Sequence, residues 1–256
     1  MTNYDKKILL TFDLEEFDIP LEYKQQISID TQMNITRQGM ERIQEIIDKH
    51  NISCTFFTTA FFADQNIELV KQLSHKHEIA SHAYYHSRFK NEDLLLSKKR
   101  LEEITQKEII GFRMPRMQAV SDKELALAGY KYNSSINPTW LPSRYNHLNK
   151  PRTIFKTPDI VNIPASVSPN FRIPLFWLFF KNVPFTFVKK LSSQTINKDG
   201  YLNLYFHPWE FADIRKFHLP RWMKNPCDIA LCRKMDSYIN FLKGKGEFST
   251  IANFIF

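Results

Sequence analysis

Four short apolar runs in this chain each lead into a side chain capable of chemistry. KILLTF (7–12) is followed by Asp13, EIAS (78–81) by His82, EIIGF (108–112) by Arg113 and YLNLYF (201–206) by His207. Longer segments of helical periodicity lie between the runs, so strand and helix patterns alternate. Such alternation argues for a parallel sheet covered by helices. In parallel α/β architectures the C-terminal ends of the strands gather on one face, where sites are built. A single strand ending in a polar residue is trivial. Four ending in Asp, His, Arg and His constrain both fold and function.

Further elements follow from the same periodicities. After KILLTF a long loop runs to about Asn34. A helix is expected over 36–50, with Ile43, Ile46 and Ile47 on one face and Thr36 as its cap. SCTFFTT (53–59) reads as the next strand, 67–77 as a helix and EIASH (78–82) as a strand that delivers His82 at its end. A helix over 91–107 precedes a strand over 108–115. Residues 121–130 read as a helix opened by a capping box of Ser121 and Glu124. The chain is expected to close with a strand over 201–208, a helix over 227–246 and a strand over 247–254. The alternation fits an open sheet and a barrel equally. With 256 residues, 43% of them hydrophobic, and no repeat, linker or low-complexity tract, one domain over 1–256 is expected.

A formal charge of +8 permits anionic partners: nucleic acid, anionic lipid or a phosphate-bearing substrate. The lysines and arginines are scattered and no nucleic-acid-binding motif accompanies them, so a solvated basic surface is expected and nucleic acid is not expected as a partner. The start, MTNYDKKILLTFDLEEFD, has an apolar run too short and too soon interrupted by acids for a secretory signal or an anchor. Cys54, Cys227 and Cys232 form no disulfide framework. A reduced, cytoplasmic setting is therefore expected. The aromatic stretch FRIPLFWLFFKNVPFTFVKK (171–190) is interrupted by Lys181, Asn182 and prolines and does not span a bilayer. It reads either as a core-packing helix and loop or as a segment lying in a membrane interface.

His82 and His86 lie four apart, and that spacing is common by chance. Two neutral imidazoles with one carboxylate make an open divalent-metal site. If the chain turns helically after the strand, the two histidines share a face. The DLEE stretch (13–16) would supply the carboxylate, and a second carboxylate could deprotonate a metal-bound water. Arg113 could pair with that base bidentately, and the last histidine could protonate a leaving amine.

In this order TFDLEEFD, SHAYYH, GFRMPR and YLNLYFHPWE, with GYKYNSSINP (129–138), resemble the motifs of the polysaccharide deacetylase family with NodB-type homology. The resemblance runs from about residue 8 to the C-terminus. It implies a distorted (β/α) barrel of about seven parallel strands and metal-dependent hydrolysis of N-acetyl groups on sugars. By position, Asp13 matches the catalytic base and His82 and His86 match metal ligands. Arg113, ahead of Pro115, matches the arginine paired with the base, and His207 the general acid. The backbone N–H of Arg116 corresponds to an oxyanion donor. Many members carry adjacent aspartates in the first motif, but here Leu14 takes the second place. Glu15 resembles the acid of a D-x-E subgroup and is assigned the metal, with Glu16 as the competing ligand. Residues two apart on a strand share a face, so Asp13 and Glu15 both point inward on this reading. Asn133 stands where relatives often have Asp.

Pro115, Trp209 and Glu210 are candidate sugar contacts, with a structural role as the alternative. Trp140 and the aromatics of 176–180 are candidates for a substrate groove, with packing as the default. Asp18 reads as a loop acid, and His50, His75, His77, His147 and His218 as surface or loop residues. The expected cofactor is one divalent ion, zinc ahead of cobalt, nickel or manganese. The expected substrate is an N-acetyl amino sugar in a polysaccharide or in a lipid- or nucleotide-linked precursor. Peripheral contact with the inner face of the membrane is expected with it. Two other readings are a hydrolase opening a C–N bond in a small cyclic amide and an inactive sugar-binding module.

Overall fold

The computed structural model describes residues 6–142 and 144–256; the first five residues of the N-terminal stretch read above, and Ser143, lie outside the described residues. Eleven strands occur among them: β1 (Lys7–Leu14), β2 (Thr55–Thr58), β3 (Glu78–Ser81), β4 (Gly111–Phe112), β5 (Tyr132–Asn133), β6 (Trp140–Leu141), β7 (Tyr145–Asn146), β8 (Phe155–Lys156), β9 (Val161–Asn162), β10 (Tyr201–Phe206) and β11 (Glu247–Phe248). The main sheet runs β10-β1-β2-β3-β4-β5-β9-β8, with β11 on the first residues of β1. From β10 to β9 every pairing is parallel; β8 alone runs antiparallel. The sheet curls until the chain after β9 meets β10: Ser166 N–H donates to Asn203 O at 2.8 Å, and Asn203 Nδ2 reaches the Ile163 and Pro164 carbonyls. The distorted barrel expected from the sequence is therefore a curled parallel sheet with a seam, not a fully laddered ring.

Alternation along β1 sorts its side chains. Ile8, Leu10, Phe12 and Leu14 belong to the large outer core shared with the helices, while Leu9 packs with Phe57, Ala80, Tyr132 and Ile163 in a smaller cluster inside the curl. That inner apolar plug floors the interior. Thr11, Arg113, Ser134 and Asn203 form a polar layer linked by hydrogen bonds. Asp13 and Glu15 follow on β1 and just beyond it, so the site sits above two filled layers.

The helices are α1 (Ile19–Glu22), α2 (Ile29–Lys49), α3 (Ala60–Gln65), α4 (Ile67–Ser74), α5 (Glu92–Thr105), α6 (Asp122–Leu127), α7 (Trp177–Asn182), α8 (Phe185–Asp199), α9 (Arg221–Lys224), α10 (Asp228–Lys243) and α11 (Ile251–Ile255). Several depart from the sequence reading. The first long helix begins at Ile29, capped by Ser28, whose side chain accepts from Thr31 N–H. Thr36 is not a cap: it is buried in the helix and donates to the Glu15 carbonyl at 2.7 Å. Residues 247–254 are not one strand, because Thr250 caps α11 directly after β11. Ser121 caps α6 as expected. The 171–190 stretch divides between α7 and α8, burying Trp177, Phe180 and Lys181. Among the described residues no helix is long and apolar enough to cross a membrane.

Candidate metal and active site

Glu15 Oε2 lies 3.1 Å from His82 Nε2 and 3.2 Å from His86 Nε2. One donor atom from each of the three residues falls within 4.8 Å of the others. The histidines do not meet through a helical turn. Ala83 takes a left-handed φ of 61°, and the segment after β3 is pinned as a loop: Ala60 and Phe61 N–H donate to the Ala83 and Tyr84 carbonyls. The rings still end up nearly parallel, with centroids 5.9 Å apart.

Each imidazole is oriented from behind. His82 Nδ1 donates to the Arg113 carbonyl at 2.8 Å, and His86 Nδ1 to Asp18 Oδ1 at 2.7 Å. Both Nε2 atoms therefore face Glu15, the arrangement that outer hydrogen bonds give metal-binding histidines. Asp18, read as a loop acid from the sequence, is part of the site, and Arg116 also reaches its other oxygen at 3.4 Å. Glu16 does not compete for the ligand position. It turns away, accepting from Thr59 Oγ1 at 2.8 Å and from His86 N–H at 2.9 Å. Burial pushes its carboxyl above the ordinary value.

Charge balance in this pocket is demanding. Burial alone would raise the Glu15 carboxyl, but His86, His82 and His207 around it outweigh burial and hold it well below the usual carboxylate range. Burial alone would lower the His86 imidazole; the Glu15 and Asp18 carboxylates outweigh that and hold it up to about 9. Two buried acids thus draw a positive charge to the point where the three donor atoms converge. A two-nitrogen, one-oxygen set with both histidines oriented from behind fits a divalent first-row ion with coordination positions left open.

Asp13 and Arg113 sit beside this group. Arg113 is completely buried, with Nη1 donating to Asp13 Oδ1 at 2.7 Å and to Thr11 Oγ1 at 2.8 Å. The pair is not bidentate as the sequence suggested, because Nη2 and Nε are taken by Ser134 Oγ and the Ser134 carbonyl. Its guanidinium lies 3.9 Å over the Phe57 ring, the top of the inner apolar plug. Asn133 tunes nothing here directly. Its side chain accepts from Ser135, whose hydroxyl in turn accepts from Met114 N–H, so it braces the turn after Arg113.

His207 closes the other side, its Nε2 3.8 Å from Asp13 Oδ2 and 4.0 Å from Glu15 Oε1. The turn that follows it, Pro208–Phe211, returns Glu210 so that Oε1 accepts from both His207 N–H and Nδ1. Burial alone would lower this imidazole; the Glu210 bond and the Glu15 and Asp13 charges more than offset it, and it stands above its ordinary value. Glu210 is fully buried and is not a sugar contact; behind it Oε2 faces Lys181 Nζ at 3.5 Å. Trp209 reaches the site differently from a stacking platform, its indole N–H donating to Glu15 Oε1 at 3.2 Å.

Asp13, Glu15, His82, His86, His207 and Trp209 form the floor of a cavity of about 410 Å³. Its walls include Tyr23, Leu141, Tyr145, Trp177 and Trp222. Pro115 is buried and does not line it, while the neighbouring Arg116, at φ 56°, does. Trp140 is exposed on the hairpin β6–β7 and does not line the cavity; of the 176–180 aromatics, Phe176 and Trp177 do. Outside the site, His77 is buried, not a surface residue, and its Nδ1 accepts from Cys54 N–H.

A model of the polysaccharide deacetylase family matches residues 2–133. No curated protein matches the sequence at a significant level. Among solved structures, one from Pseudomonas aeruginosa PAO1, described as a probable polysaccharide deacetylase, superposes with a TM-score of 0.68 at 14% identity, covering 98% of this chain and 90% of that one. The allantoinase PuuE gives 0.62 at 15% identity, with 98% and 89% covered. The Bc1960 peptidoglycan N-acetylglucosamine deacetylase gives 0.54 at 14% identity, with 99% and 89% covered. At such identities the likeness to these three is one of fold.

Proposed function

The chain belongs to the polysaccharide deacetylase family, and from that premise we propose that it is a metal-dependent hydrolase removing the N-acetyl group from an amino sugar. The observation that carries the reading is the convergence of Glu15, His82 and His86 beside the Asp13–Arg113 pair and His207. A sugar-binding module has no use for a carboxylate base with an arginine at 2.7 Å and an imidazole at 3.8 Å.

Glu15, His82 and His86 would hold the ion, with zinc the first expectation; when bound, it polarises the amide carbonyl and acidifies the attacking water. The remaining steps belong to side chains of this protein. Arg113 fixes Asp13 through Oδ1, leaving Oδ2, the oxygen nearer His207, to take the proton of the water. The Glu210 carboxylate accepts from His207 Nδ1, which turns Nε2 toward the cavity, where it donates a proton to the departing amine. The backbone at Arg116, held in its turn, is the candidate donor to the developing oxyanion.

The test starts with metal content, measured by plasma mass spectrometry on protein purified without added metal. The expected result is about one equivalent in the wild type and none in His82→Ala/His86→Ala, followed by acetate release from N-acetyl sugars by the wild type alone. Equal metal in both proteins, or none in either after reconstitution, overturns the assignment. Acetate release from sugars against ring opening of a small cyclic ureide separates deacetylase from the cyclic-amide reading.

A further inference from the structure

The outer half of the cavity differs chemically from its floor. One wall is α1 and the hairpin β6–β7, tied together by Arg144 Nη2 donating to Glu22 Oε2 at 2.8 Å. The other is α7 and α9, tied by Asn182 Nδ2 donating to the Trp222 carbonyl at 2.8 Å. The residues these walls turn inward include Ile19, Tyr23, Leu141, Leu178, Trp222 and Met223. Tyr23 and Trp222 are 37% and 49% exposed, large side chains left at the rim where a folded chain normally buries them. The charged groups at this level are committed to one another, Glu22 bonding Arg116 at 2.7 Å as well as Arg144.

A bare glycan would gain little from such walls. Sugar rings are held by stacking on aromatic faces together with side chains that hydrogen-bond their hydroxyls. Tyr23 and Trp222 would serve a pyranose face or an alkyl chain equally, but Ile19, Leu141, Leu178 and Met223 around them add apolar surface with no group to bond a sugar hydroxyl, which favours a chain. We infer that the substrate is an amphiphile, an N-acetylated amino sugar bonded to a hydrocarbon chain that lies between Tyr23 and Leu141 on one wall and Leu178 and Trp222 on the other. This rests on the deacetylase reading for the sugar, and adds the group attached to it. A hydrocarbon-linked substrate also brings the catalytic face to a lipid surface, where exposed tryptophan and tyrosine are at home.

The experiment compares octyl N-acetyl-β-D-glucosaminide, kept below its critical micelle concentration, with tetra-N-acetylchitotetraose. On the metal-loaded protein the octyl glycoside is expected to be deacetylated with kcat/KM at least about tenfold higher, the gain from burying roughly two methylenes. Trp222→Ser and, separately, Leu178→Gln, both at partly exposed positions, are expected to erase that preference through KM for the octyl glycoside. Equal or better turnover of chitotetraose, or variants that depress both substrates alike, overturns the inference. If neither compound releases acetate, the deacetylase reading falls. Calorimetric binding of the same two probes then decides the amphiphile: tighter octyl binding lost in the variants sustains it, and equal binding ends it.

Discussion

Lys181 and Glu210 make the sharpest quantitative test of how the acid side of the site is built. Both side chains are completely buried, and Nζ and Oε2 face each other at 3.5 Å. Neither atom has another hydrogen-bond partner among the described residues. Burial pulls the Lys181 amine below its ordinary value, with Glu210 opposing. At an effective dielectric of 20, unit charges at this separation attract by about 5 kcal/mol, most of it offset by the desolvation of both ends. Lys181→Met leaves Glu210 Oε2 buried without its partner, the carboxylate then held only by the two His207 bonds at Oε1, and should cost about 3–5 kcal/mol. Lys181→Met/Glu210→Gln removes both charges, while the introduced amide keeps an oxygen for His207 N–H, and should recover all but about 1–2 kcal/mol of that loss. The assay is urea unfolding followed by tryptophan fluorescence, with the midpoint and slope fitted for wild type, both single variants and the double. A coupling energy of at least about 2 kcal/mol is expected. A Lys181→Met cost below about 1 kcal/mol, or additive single effects, would refute the idea that this ammonium carries the buried carboxylate.

Three further outcomes follow from the same geometry. Arg113→Lys keeps the charge but cannot span Asp13, Thr11 and Ser134 at once, so acetate release should fall by about 10²-fold or more, with stability lowered by about 2–4 kcal/mol in the same urea assay. At Gly39 a Cβ would stand 1.8 Å from the Pro208 carbonyl oxygen, so Gly39→Ala should displace the turn carrying His207 and Glu210. It is expected to cost about 1–3 kcal/mol or more, and to reduce turnover in step, as read by melting curves beside kinetics. Burial, helped by Lys76, lowers the His77 imidazole to about 4, so between its ordinary value of 6.5 and 4 the unfolded chain binds the proton first. The His77 contribution to stability should therefore be level above about pH 7 and fall by on the order of 2 kcal/mol on acidification through that window. His77→Asn, which keeps an acceptor for Cys54 N–H, should flatten this limb in urea titrations at stepped pH.

Much of the fold is legible where the chain encodes it locally. β1 announces itself by the apolar run Ile8–Leu10 with Phe12, and β10 by Leu202, Leu204 and Phe206 at alternate positions; both are buried on both faces, the mark of parallel strands with cover on either side. The sequence starts the first long helix at Thr36 rather than Ile29, since Ile29–Ile35 carries polar residues on its outer face and its cap, Ser28, lies in an unremarkable polar stretch. The strand around 108–115 shrinks to Gly111–Phe112 because β3 meets it only at Ser81 and β5 contributes two residues. From β5 to β9 the strands are two residues long, too short for any period to show in sequence.

The site divides along the same line. Asp13 and Glu15 can be placed on one face from strand parity alone, and Glu16, one residue on, is turned to hold His86 N–H instead. Spacing points to the histidine pair for a reason that does not hold, since a left-handed Ala83 rather than a helix brings the rings together. What four-residue spacing does not reveal is who orients them. Asp18 lies 68 positions from His86, the Arg113 carbonyl 31 from His82, and Ser134 21 from the guanidinium it holds. These partners are set by which strand ends adjoin across the curl. Glu210 is the instructive exception: it sits three residues from His207, close enough for the sequence to offer it, yet nothing in the local pattern turns it away from the sugar. Only the turn after His207, with Gly39 of α2 packed against it, decides that it points back into the protein to serve the acid. Identity of the reacting groups is thus a local property of this chain, while their orientation, on which any rate depends, is a property of the closed sheet.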